Sequence, residues 1–186
     1  MSNDIQQHTT VNIQEKANLI WAIADKLVGV YKPHEYGNVI LPMCVIKRCE
    51  DTLTQTKQQV LNTNAKLDKD GIVVNKGFLE AAAGQQFYNL SPFTFQNLLN
   101  DPENIKDNFE SYLNHFSENV IDIIHRMDFD REIQKMADNN VLYLVIKEFC
   151  TPKAYLGTDH VTSVDMGYIF EELVRKFSES YDEQAV

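Results

Sequence analysis

Apolar residues recur at intervals of three and four along most of the chain, which is the spacing of one face of an α-helix. The first segment shows this best, because one face collects Ile13, Ala17, Ile20, Trp21, Ala24, Leu27, Val28 and Tyr31. Asn12, with Glu15 three residues later, has the pattern of a capping box and predicts the start of this helix. A second helix is predicted to follow Pro33 or to restart or bend at Pro42. Its predicted buried face contains Val39, Met43, Ile46, Leu53 and Val60.

Residues 62–77 interrupt this spacing and predict an exposed loop. Asp70-Gly71 and Lys76-Gly77 are turn signals, and the three β-branched residues at 72–74 favour one short extended piece between them. Further helices are predicted at 78–86, 94–99, 103–113, 118–127, 130–138, 141–149 and about 164–177. Ser91, Ser117 and Asp130 are predicted to be N-caps. The predicted fold class is all-α, a single irregular bundle of eight to ten helices.

Charge is distributed unevenly along the chain. Residues 1–100 carry equal numbers of basic and acidic side chains, so the whole net charge of −10 comes from residues 101–186. A domain that binds DNA by itself normally presents a basic face, because neutralised phosphates supply most of the affinity. The composition therefore predicts contact with DNA only within a larger assembly, and an acidic half that faces solvent or a basic partner.

Candidate catalytic and metal-binding groups are few. Cys44, Cys49 and Cys150 form no Cys-x-x-Cys pair, which indicates free thiols and a reducing, cytoplasmic compartment. The histidines are scattered, so no metal site is predicted. Cys150 and His160 could form a nucleophile–base pair, but a buried thiol beside a loop histidine is the preferred interpretation. The polar N-terminus predicts no signal peptide, and the longest apolar run, at 141–146, is too short to cross a membrane.

The segment from residue 31 to 48, YKPHEYGNVILPMCVIKR, has the most unusual composition in the chain. Tyrosine and histidine side chains have apolar bodies and polar tips, a combination favoured on partly hydrated surfaces. The candidate interaction surface consists of Tyr31, Lys32, His34, Tyr36, Lys47 and Arg48. The alternative is a corner between two helices, in which the basic residues are solvated helix ends.

The same segment resembles the N-terminal region of the modification subunit of type I restriction-modification systems. The resemblance extends to WAIADKL at 21–27, FYNLSPFTF at 87–95, NFESYLNHFS at 108–117, MDFD at 127–130 and MGYIFEELVRKF at 166–177. These blocks stand in the family's order, and the stretch from the first to the last, residues 21–177, makes up most of the chain. The resemblance implies a helical N-terminal domain that spans residues 1–186.

Two motifs that the family's chemistry requires are missing. The family transfers a methyl group from S-adenosylmethionine to the N6 amine of adenine, with a glycine-rich loop and an Asn-Pro-Pro-aromatic motif. The chain contains no Gly-x-Gly and no adjacent prolines. We therefore predict no catalytic, cofactor-binding or metal-binding residue here, and expect S-adenosylmethionine to bind in a catalytic domain of the full-length parent, absent from this chain. Whether the chain belongs to an enzyme thus depends on that parent.

The resemblance implies a non-catalytic module for assembly and for enclosing DNA. Its implied partners are its own catalytic domain, the specificity subunit and a second modification subunit, with no role at a membrane. The alternative is a free-standing α-helical protein-interaction domain without a methyltransferase partner domain. The reading frame after Val186 would distinguish the two.

Overall fold

The structure is a computed structural model that describes the backbone of residues 2–182 and the side chains of residues 12–182. Within the described backbone there are ten α-helices and no β-sheet, so the predicted all-α class is confirmed. The helices are α1 Ser2–Ala22, α2 Gly37–Leu53, α3 Lys57–Lys69, α4 Lys76–Ala83, α5 Phe95–Leu98, α6 Ile105–Asn114, α7 Glu118–Arg126, α8 Phe129–Asp138, α9 Leu142–Phe149 and α10 Ser163–Asp182.

The predicted apolar face of the first helix is largely confirmed, but both ends of the helix differ from the prediction. Helix α1 continues through Asn12, so the predicted cap there is wrong. The helix ends at Ala22 and gives way to a 3₁₀ turn, Ile23–Leu27. Val28 follows that turn and is exposed, whereas Tyr31 is buried. Gly29 between them has φ +87°, a left-handed conformation that glycine adopts readily.

Helix α2 is continuous across the proline that was predicted to restart or bend it. Pro42 lies inside Gly37–Leu53 and is buried, while Pro33 begins a separate 3₁₀ turn, Pro33–Glu35. The predicted inward face of α2 is confirmed by the buried Val39, Met43, Ile46 and Leu53. Val60 is buried as well, but it belongs to α3.

Helices α3 and α4 form a hairpin, and the loop between them is shorter than predicted. Residues 62–69 are helical, and only residues 70–75 lie outside the two helices. Gly71 ends α3 with φ +71°, and the amide of Ile72 donates to the carbonyl of Leu67 at 2.9 Å. Residues 72–75 have no regular secondary structure, so the extended piece near 72–74 is not a strand of any sheet described here.

The shorter helices confirm the predicted series within one or two residues at most boundaries. Helix α4 ends at Ala83 rather than at residue 86, because Gly84 adopts a left-handed C-cap with φ +69°. Thr94, not Ser91, caps α5, and its hydroxyl accepts from the Asn97 amide at 3.1 Å. Asp130 lies in the first turn of α8 instead of capping it.

Ser117 occupies the N-cap position of α7 as predicted, but its hydroxyl makes no capping hydrogen bond. The hydroxyl instead donates to the side chain of Asn119 at 2.7 Å and accepts from the Tyr88 amide at 3.2 Å. The position of this cap was therefore predictable, whereas its hydrogen bonding was not.

One hydrophobic core joins most of these helices. Helix α10 packs along α1 and across the beginning of α2, and α8 packs between α2, α6, α7 and α9. Phe95, Phe109, Tyr112 and Phe116 form an aromatic cluster with ring centroids 5.2–6.2 Å apart. This packing places the C-terminal half of α2 beside α3, α5 and the segment 150–162, which connects α9 to α10.

Candidate interaction surface and buried charges

The six residues of the candidate interaction surface do not form one surface. Tyr31 and Lys47 are buried, Arg48 is partly buried, and only Lys32 is exposed. His34 and Tyr36 are partly buried. Around the Pro33–Glu35 turn lie Tyr31, Lys32, His34 and Tyr36, whereas Lys47 and Arg48 lie in the second half of α2. The prediction of a single surface therefore needs correction.

Tyr31 connects its segment to α8 and is not available to a partner. Its hydroxyl donates to the carbonyl oxygen of Glu132 at 3.3 Å, and the ammonium of Lys135 lies 4.2 Å from its ring centroid. Burial is the main reason why the pKa of Tyr31 is raised, and Glu132 adds to the effect. Tyrosine at this position stabilises the core through its ring and its hydroxyl together.

Of the six predicted residues, three remain candidates for a contact surface: Lys32, His34 and Tyr36. The Glu35 carboxylate accepts from the Lys32 amide at 2.8 Å, which lowers the pKa of Glu35. The His34 ring meets Tyr181 of α10 edge-on, with centroids 5.5 Å apart. Its Nδ1 atom is buried and has no hydrogen-bond partner among the described residues. Contact of these three residues with a partner stays a prediction.

Lys47 forms a buried ion pair with Asp51, one helical turn further along α2. The same Asp51 oxygen accepts from the backbone amide of Leu156 at 2.8 Å. Burial raises the pKa of Asp51, while the Lys47 ammonium and the Leu156 amide oppose that rise. A charge pair can remain in a protein interior when its members satisfy each other, as these do.

Arg48 and Lys16 hold the connecting segment through its carbonyl groups. The Arg48 guanidinium donates to Leu156 at 2.7 Å and to Val161 at 2.5 Å. The Lys16 ammonium donates to Lys153 at 2.8 Å and to Tyr155 at 3.0 Å. We use the term clamp for Lys16, Arg48 and Asp51, the three side chains that fix this segment to α1 and α2.

A second pair of opposite charges joins α2 and α3 to the chain before α5. A carboxylate oxygen of Glu50 accepts from the Phe95 amide at 2.8 Å, and Lys57 donates to the carbonyl of Phe93. Lys57 also lies 5.3 Å from the centroid of the Tyr112 ring. Burial raises the pKa of Glu50 and lowers that of Lys57, and their mutual attraction opposes both shifts.

Both charge pairs line a cleft of about 550 Å³ between α2, α3, the start of α5 and the connecting segment. Cys150 and Tyr155 form part of its wall. Each of the four charged side chains bonds to a protein group close by, so the arrangement holds chain segments together. The two charge pairs therefore serve as structural cross-links between these segments.

Sequence reasoning missed Lys16, Glu50, Asp51, Lys57 and Tyr155. One signal for the charges in α2 was present, because Lys47, Glu50 and Asp51 continue the three- and four-residue spacing of Met43 and Ile46. Charges on the buried face of a helix indicate paired interior groups. Their partners in the connecting segment carried no comparable signal.

The thiols among the described residues are not activated as nucleophiles, and the described residues form no metal site. Cys44, Cys49 and Cys150 are free thiols. Burial raises the pKa of Cys150 to about 11 and those of the other two to about 12. A catalytic thiol is shifted in the opposite direction. Among residues 12–182, no three histidine, cysteine or acidic side chains converge as metal ligands. No helix in the described part of the chain is long and apolar enough to cross a membrane.

Comparison with known proteins identifies the family. A family model described as the HsdM N-terminal domain matches residues 16–149, well over half of the chain. No curated protein and no solved structure matches the chain significantly. The matched range contains both charge pairs and ends at Phe149, so the connecting segment and α10 lie beyond it. The chain therefore belongs to the HsdM N-terminal domain family, the N-terminal domain of the modification subunit of type I restriction-modification systems.

Proposed function

We propose that this domain is a non-catalytic assembly module of a type I modification methyltransferase. The clamp is the observation that carries the proposal: Lys16, Arg48 and Asp51 fix the segment beyond the family match onto the matched helices. A module that positions other parts of a complex needs such a rigid internal frame, because ordering mobile segments on binding costs affinity. The charged groups in its cleft are engaged in this frame and do not form a catalytic pair.

The proposed partners are the catalytic domain of the same subunit, the specificity subunit and a second modification subunit. DNA is enclosed only within that assembly, because residues 1–100 are electrically neutral and the remainder is acidic. Binding of duplex DNA depends on phosphate neutralisation by basic side chains, which this charge distribution does not favour. S-adenosylmethionine binding and methyl transfer are assigned to the catalytic domain of the parent subunit.

The isolated chain is expected not to bind S-adenosylmethionine, because it lacks the glycine-rich turn that approaches such a cofactor. Isothermal titration of the chain with the cofactor is expected to give only the heat of dilution. A complete modification enzyme of this family, titrated in the same buffer, is the positive control. Saturable binding to the chain in the micromolar range would contradict a purely structural role.

Duplex DNA is expected to bind the isolated chain no better than in the millimolar range at physiological salt. Gel-shift titration at low micromolar protein checks this, with the assembled modification complex on the same duplex as the control. A shifted band from the chain alone would show that the domain contacts DNA without its partners, against the proposal.

A further inference from the structure

The hairpin of α3 and α4 exposes an apolar tip at its turn. Val73 and Val74 are 88% and 85% exposed, and Ile72 and Phe78 beside them are exposed as well. Four apolar side chains exposed this close together in sequence make the tip a candidate interaction site. We refer to residues 72–75 as the tip segment.

Two residues in the middle of the tip segment leave their backbone groups without partners in the described part of the chain. Within residues 12–182, the amide and carbonyl groups of Val73 and Val74 make no hydrogen bond to backbone or side chain. The left-handed Gly71 ends α3 just before the segment, and Lys76 begins α4 just after it. The Ile72 amide donates to Leu67 and the Asn75 carbonyl accepts from the Leu79 amide, so both ends of the segment are held while the backbone groups of Val73 and Val74 stay free.

The side chains of the tip segment favour pairing with a β-strand. Ile72, Val73 and Val74 are β-branched residues, which favour strands. No charge and no proline stands between Gly71 and Asn75. Natural proteins place lysine or proline in exposed segments of this kind to prevent pairing with other chains. The tip segment carries neither residue, so its own side chains do not oppose pairing with another chain.

The partner that fits is the open edge of an existing β-sheet on another subunit. Residues 2–182 contain no β-sheet, so the described part of the chain cannot supply that edge. Two copies of the tip segment would form only a short two-stranded ribbon, which is marginally stable in water. The exposed tip also supplies on the order of 300 Å² of apolar area, well below the roughly 800 Å² per partner of a standard interface. The tip therefore fits a partner subunit that also contacts this chain at other sites.

We propose that the tip segment adds as an extra strand to a β-sheet edge of a partner subunit in the modification complex. Backbone hydrogen bonds give affinity in this mode of recognition, and alternate side chains give specificity. Successive side chains of a strand point to opposite faces, so Val73 would face one side of the sheet, and Ile72 and Val74 the other. This inference rests on the proposed assembly function.

Hydrogen exchange followed by mass spectrometry tests the proposal on the free chain and on the chain in its assembled complex, purified through the specificity subunit. All amides of residues 73–75 are expected to exchange without protection in the free chain. In the complex, the alternate amides that point toward the sheet are expected to exchange at least a hundredfold more slowly.

A double variant, V73K/V74K, is expected to weaken assembly at least tenfold without changing the thermal unfolding of the free chain, since both side chains are exposed. The matched control is V28K, because Val28 is 67% exposed, lies outside the α-helices and is remote from the tip in sequence. It is expected to assemble like the unaltered chain.

Four outcomes would overturn the inference. If the complex forms but residues 73–75 stay unprotected, or if V73K/V74K assembles normally, the tip is not the contact and the assembly function stands. If protection appears in the free chain as its concentration rises, the tip pairs with a second copy. If no complex forms at all, the assembly function fails and the inference fails with it.

Discussion

Replacing Asp51 with alanine is expected to lower the free energy of unfolding by about 3–5 kcal/mol, because removal of one partner leaves a buried charge uncompensated. The charge is that of Lys47, which is buried with Asp51. The substitution also deprives the Leu156 amide of its acceptor, although that group lies 105 residues away. Urea denaturation of the two proteins, followed by circular dichroism, measures the difference.

A second ion pair with the same spacing provides a matched control. Lys106 and Glu110 are also four residues apart on one helix, with 3.5 Å between charged atoms, but both are partly exposed. Glu110→Ala is expected to cost less than about 0.5 kcal/mol, the usual value of such a pair at the surface. If Asp51→Ala costs no more than Glu110→Ala, the buried pair is not a principal support of the fold.

Replacing both members of the buried pair separates charge from packing. The double variant Lys47→Met/Asp51→Leu removes both charges and keeps apolar volume, so it is expected to recover most of the stability lost in Asp51→Ala. The loss of stability that remains is expected to be about 1–3 kcal/mol, because the buried amide of Leu156 is left without an acceptor. A double variant as unstable as Asp51→Ala would refute the role of uncompensated charge.

Gly37→Ala is expected to destabilise the domain by about 1–3 kcal/mol, because the added methyl group overpacks a filled interface. A Cβ atom at this position would lie 2.4 Å from Cγ of Phe177 in α10. Both Cδ atoms of the same ring would also lie within 2.7 Å, so relief requires rotation of the whole ring about the Cα–Cβ bond or a shift of α10. Thermal unfolding measures the expected decrease in Tm.

Gly77 is the matched control, since it also lies in the first turn of a helix, α4. No atom lies within 4 Å of a Cβ built there. Gly77→Ala is therefore expected to stabilise the domain by about 0.4–1 kcal/mol, since alanine restricts the unfolded chain. Equal effects of the two substitutions would mean that the contact between α10 and the start of α2 does not constrain the fold.

The helices could be predicted from sequence because their apolar spacing is a local property. Their ends were less predictable, since a helix passes through a favourable cap when the residues before it can also be helical, as at Asn12. Polar residues at 62–69 suggested a loop, but they form the exposed side of α3, whose Leu67 is buried. Local composition does not distinguish a solvated helical face from a loop.

The charges of α2 could not be assigned from sequence for a different reason. Whether Lys47 and Arg48 end at a solvated surface or in the interior depends on groups more than 100 residues away, such as the amide and carbonyl of Leu156. Glu50 also depends on a distant group, the amide of Phe95, which lies 45 residues away. Backbone groups carry no sequence signature, so their role becomes visible only in the folded chain.

That property of the clamp has an evolutionary consequence. Lys16, Arg48 and Asp51 reach only main-chain atoms of the connecting segment. The identity of the exposed side chain at Lys153 is therefore free to drift while the path of the chain is conserved, whereas the buried Val161 is constrained by packing and proline at position 156 would remove a required amide. Relatives can thus diverge at the exposed positions of this segment and still keep the clamp, as long as the three anchoring side chains persist.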